Sequence, residues 1–143
     1  MINWKDIPSG AVMSTAYVPL VSAGDATINH AVFMAPVDCK ILAVWAIPNV
    51  AVSGTDTNYR TLSILDGGLA GAGTAVLGTA IPYVSGTDMV INDPVALVAA
   101  SDEETVDAGD VLLLKHELTG SGLEIPALLV CTMWWPSGET LAT

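Results

Sequence analysis

Short β-type runs recur along this chain with turn residues between them, and no stretch offers a capped helix of three turns. Runs rich in Val, Ile, Thr and aromatic residues fall at Val12–Leu20, Ile28–Met34, Lys40–Ile47, Tyr59–Leu65, Thr74–Ile81, Val95–Ala99, Val111–Leu118 and Ala127–Trp135, with a shorter piece at Met89–Ile91. Chain-reversing residues stand between them: Pro36 and Asp38, Asp66-Gly67-Gly68, Ala108-Gly109-Asp110 and Thr119-Gly120-Ser121-Gly122. In Lys40–Ile47 both alternating sets are apolar (Ile41, Ala43, Trp45 and Ile47 against Leu42, Val44 and Ala46), which predicts a strand covered on both faces. About eight antiparallel strands in 143 residues predict an all-β fold, a β-sandwich of jelly-roll-like connectivity. Residues 11–143 form that single domain. Met1–Gly10 is too irregular for a strand and is expected to be a short N-terminal arm.

Composition narrows the function. Fifteen acidic residues face four basic ones, a formal net charge of −11. Nucleic-acid phosphates are bound by Lys and Arg, so no nucleic-acid partner is expected. With glycine counted and tyrosine set aside, apolar residues make up about 59% of the chain against a usual 45–50%. A domain this small cannot hide them all in one core, so burial against copies of itself or another protein is expected. The longest uncharged run, Gly67–Thr87, is broken by glycines and Pro82, and Ile7–Gly24 is interrupted by Pro8, Gly10 and Pro19. Neither a membrane helix nor a leader is expected. Ala-Ile-Pro at 46–48 and 80–82, each followed by Val-Ser-Gly-Thr-Asp, reads as shared turn chemistry at sandwich edges and not as a repeat architecture.

Catalytic chemistry finds little support. His30 and His116 lie far apart, in neither a His-x-His nor a His-Glu-x-x-His pattern, and His116 within Lys115-His116-Glu117 reads as an outward or edge residue. Ser121 lacks the strand-to-helix setting of a nucleophile elbow. No Lys-Ser/Thr pair or helix follows Gly67, Gly68, Gly71 and Gly73 to make a phosphate loop. Asp102, Glu103, Glu104, Asp107 and Asp110 offer oxygens of the kind calcium takes but lack EF-hand alternation, so a solvated acidic loop is expected from Asp102 to Asp110. Cys39 and Cys131 are expected as buried free thiols. The chain is therefore expected not to be an enzyme and to hold no cofactor or metal. Phe33 and Trp45 are expected in the core. Trp134 and Trp135 are adjacent on one strand and must face opposite ways, one inward and one toward an interface or solvent.

Phe33-Met34-Ala35-Pro36-Val37-Asp38-Cys39-Lys40-Ile41 resembles the strand, proline turn and next strand of small tailed-phage virion proteins of jelly-roll type. Val106-Asp107-Ala108-Gly109-Asp110-Val111-Leu112 resembles the Ala-Gly-Asp turn before a late strand in the same proteins, and the likeness covers most of Ala26–Trp135. That group comprises capsid decoration (cementing) proteins and head- or tail-fibre domains, usually trimeric. No coiled-coil or repetitive shaft is present, which favours decoration over fibre. The resemblance implies a structural protein made in the host cytoplasm and placed on the outer capsid surface. There a homotrimer would bind the major capsid protein, with no catalytic residues. The alternative is a receptor- or carbohydrate-binding knob, which needs an exposed aromatic groove with polar hydrogen-bonders. A cupin-type enzyme needs several His on neighbouring strands, and two scattered His argue against it. Expected interface residues are Ile2, Trp4 and Ile7 of the arm, with Trp134 and Trp135.

Overall fold

The alternating runs pair into two antiparallel sheets in the computed structural model, which describes residues 10–99 and 101–136. In chain order the strands are β1 (Val12–Val18), β2 (Ile28–Met34), β3 (Cys39–Pro48), β4 (Tyr59–Asp66), β5 (Ala75–Pro82), β6 (Val95–Val98), β7 (Glu104–Val106), β8 (Val111–Thr119) and β9 (Leu128–Pro136). One sheet runs β1-β9-β3-β6, with β7 also pairing β3, and the other runs β2-β8-β4-β5. The described residues contain no helix. The fold is an all-β sandwich. Its pairing is nested: β1 with β9, β2 with β8, β3 with β6, and β4 with β5.

The core lies between the inner faces, where Val18, Phe33, Ile41, Val44, Leu62, Ile64, Leu112, Leu114, Leu128 and Val130 are buried together. A bulge between Ile41 and Ala43 shifts the phase of β3 against β9. Ile41 therefore joins Val44 and Ala46 in the core, while Trp45 and Ile47 face outward. This corrects two expectations. Ile41 does not share a side with Ala43, Trp45 and Ile47, and Trp45 is half-buried on the outer surface instead of sitting in the core. Phe33 is in the core, as expected.

β7 was not legible as a strand. Of its three residues only Val106 is apolar and buried, and it pairs with Cys39–Ile41 because β3 offers a free edge there. Met89 makes a single bridge to Val52, not a strand. At the sandwich edge, Gly78 (φ +66°) lets β5 pass close to β6, since a Cβ there would lie 2.3 Å from the Leu97 carbonyl oxygen. At one corner the Ala35 N–H donates to Asp110 O (2.9 Å) and the Gly109 N–H to Ala35 O (2.7 Å).

Candidate interaction surface

Alternation along β1, β9 and β3 turns Met13, Tyr17, Trp45, Ile47, Leu129, Cys131, Met133 and Trp135 away from the core. Tyr17 is 71% exposed, its neighbour across the strands Leu129 40% and Met13 51%, while Trp45, Ile47, Cys131 and Trp135 are half-buried. Among the described strand residues on this side, Lys40 is the only charged one, and it is paired with Glu103 at 2.7 Å. A chain of net charge −11 thus carries one sheet face almost free of charge.

The structure separates the two adjacent tryptophans. Trp134 is 9% exposed, stacks at a tilt on Phe33 (5.7 Å between ring centroids) and donates its Nε1–H to Ser14 Oγ at 3.0 Å. Trp134 is a core residue, so of the pair only Trp135 lies on the outer face. Ile2, Trp4 and Ile7, with the rest of the expected arm up to Ser9, lie outside the described residues.

His116 is fully buried, against the expectation of an outward residue. Leu112, Leu114 and His116 occupy alternate inward positions of β8, and Lys115 and Glu117 face out as an ion pair at 3.2 Å. The alternation was visible in the sequence, but the charged neighbours masked it. His30, opposite Leu114 on β2, faces the same side, and the two imidazoles meet edge to face with centroids 5.4 Å apart. Burial first, then His30 and Arg60, pushes the His116 pKa down to about 4. Neither of its ring nitrogens has a hydrogen-bond partner among the described residues. The described residues contain no group of three or more His, Cys, Asp or Glu placed to hold a metal.

Arg60, fully buried on β4, acts as a clasp. Its guanidinium donates to the carbonyl oxygens of Leu123 (3.0 Å), Ser22 (2.9 Å), Ala23 (3.3 Å), Asp25 (2.6 Å) and His116 (3.4 Å). It thereby ties the β1–β2 and β8–β9 loops to the sheet. This is structural work.

The acidic stretch Asp102–Asp110 is partly folded, because β7 runs through it. Glu103 is paired with Lys40, and Asp110 is buried with its carboxylate accepting the Asp107 N–H at 3.2 Å. Cys39 is buried on the inner side of β3, its thiol pushed up to about 11 by burial and then by Asp38 and Asp110. Cys131 sits half-buried on the outer face of β9, and both thiols are free. A cleft of about 280 Å³ between the loops, lined by Leu20, Val50, Val52, Leu123 and Pro126 with Ser53 and Glu124, has no aromatic lining. No protein-family model matches the chain, and no curated protein matches its sequence.

Proposed function

We propose that the chain is a structural virion protein, a capsid decoration protein that binds the outer surface of a phage head, stabilises the lattice of its major capsid protein, and assembles as a homotrimer. The observation that carries this reading is the apolar, almost charge-free face of β1, β9 and β3 on an otherwise acidic sandwich. Such a molecule offers area for protein contact. Nested strand pairing supports the jelly-roll form of the sandwich, since two Greek keys folded over each other pair first with last and inward from there. Trimeric order rests on the resemblance to jelly-roll virion proteins. Low Lys content suits an outer surface that has no DNA to hold.

The knob reading has less behind it. Rings on the outer face have no carboxylate or amide beside them on the strands, and the loop cleft has polar groups without rings. Mixing the purified chain with empty shells of the virus that encodes it, then pelleting the shells, tests the decoration reading. Saturable co-sedimentation and a raised shell melting temperature are expected. Shells that pellet without the chain refute it.

A further inference from the structure

We propose that His30 and His116 form an acid-operated latch on β2, in which protonation of the pair frees this edge strand and the loop before it while the facing sheet stays folded. Buried polar atoms are nearly always hydrogen-bonded. Three ring nitrogens here, Nε2 of His30 and both of His116, are buried without a partner among the described residues, and the two rings meet edge to face. Two neutral imidazoles tolerate that setting. A proton on either would place a cation in the core beside Arg60, whose guanidinium already donates to the His116 carbonyl oxygen at 3.4 Å. The groups around the pair do little to offset it. His30 from β2 and Arg60 from β4 both disfavour the charged form of His116. Lys115 and Glu117, beside it on β8, face out and pair with each other. Tyr83, after β5, donates its backbone N–H to the Arg60 carbonyl oxygen at 3.0 Å, and burial pushes its hydroxyl up to about 12. On the facing sheet the ionisable core residue is Cys39, a thiol kept neutral by burial. Asp25, on the loop before β2, acts on Arg60, and its carboxylate accepts the Ser22 N–H at 2.9 Å.

β2 is the part that can yield. It lies at the edge of its sheet and pairs with β8 alone, and a bulge between Ala31 and Phe33 interrupts that ladder just after His30. β8 is held by β2 on one side and β4 on the other, so His116 cannot leave without breaking two ladders. Lifting β2 carries His30 into water and admits water to His116. The preceding loop is held by Arg60 through the carbonyl oxygens of Ser22, Ala23 and Asp25, so a charge facing the guanidinium bears on it too. Once opened, His116 regains its ordinary value of 6.5 in place of about 4. The open form therefore gains on the closed one by up to about tenfold per unit as pH falls through that window. The latch is independent of the decoration reading.

Hydrogen–deuterium exchange of the full chain at pH 7 and pH 5, corrected for the intrinsic pH dependence of amide exchange, tests the latch. On acidification β2 and Ser22–Asp25 are expected to lose protection by at least about tenfold, while β3 and β9 keep theirs. His116→Leu puts an apolar side chain at the buried site and is expected to leave β2 protected at pH 5, with circular dichroism checking that the variant folds. The natural chain gives a second reading that needs no substitution. In NMR spectra the imidazole resonances of His30 and His116 and the amide resonances of β2 are expected to titrate together. β2 protection that is unchanged at pH 5, or lost in step with that of β3 and β9, overturns the proposal. So does a loss that persists in His116→Leu, or imidazoles that titrate while the β2 amides stay still.

Discussion

The Asp38 carboxylate accepts a hydrogen bond from the backbone N–H of Ala108 at 2.8 Å, across 70 positions of sequence. Together with the Ala35 bonds to Gly109 and Asp110, it makes one corner of the two segments 33–41 and 106–112. The two segments are therefore two sides of a single structural unit. Gly109 takes the left-handed position the turn requires (φ +88°).

Replacing Asp38 with Ala is expected to cost about 1 kcal/mol, the usual net worth of such a bond at an accessible site. Urea unfolding measures it. An unchanged midpoint would mean that the corner is held by the backbone bonds alone.

Arg60→Lys is expected to be far from conservative. One ammonium has three donors on a flexible stem and cannot span carbonyls contributed by two loops and a strand, whereas the planar guanidinium does. Leaving those buried acceptors unmet is expected to cost about 3 kcal/mol. Amide exchange is expected to accelerate first around Ser22–Asp25 and Leu123.

Trp134→Ala is expected to destabilise the fold by roughly 3–5 kcal/mol, because a buried indole packed on Phe33 is lost. Trp135→Ala, at a half-buried ring on the outer face, is expected to cost no more than about 2 kcal/mol. Parallel denaturant melts of the two variants check the contrast. Equal losses would contradict the inward and outward assignment.

How much of this was legible depended on range. Eight strands followed from alternation and turn residues, both of which are local. Glu104–Val106 became a strand only because the edge of β3 was there to pair with, a fact distant in sequence. The bulge at Ile41/Ala43 broke strict alternation and sent Trp45 outward, and no residue type in that run announces it. The exposed apolar face was foreshadowed by the apolar excess, but its location required knowing which strands share a sheet. His116 was hidden by its flanking charges, and Arg60 carried no local signal at all, since its partners come from loops more than thirty positions away.

His116 makes stability depend on pH in a stated direction. Its ordinary value of 6.5 is pushed down to about 4 in the fold, by burial first and then by His30 on β2 and Arg60 on β4. As pH falls below 6.5 the unfolded chain takes up a proton that the folded chain refuses until about pH 4. Stability is therefore full above 6.5, declines between 6.5 and about 4, and levels off below. At about 1.4 kcal/mol per unit, the loss from this group approaches 3 kcal/mol. Urea unfolding from pH 8 to pH 4, compared between the natural chain and His116→Leu, isolates the contribution from that of the carboxylates. The variant is expected to lose this part of the slope. If both chains weaken in parallel over that window, His116 is not the group responsible.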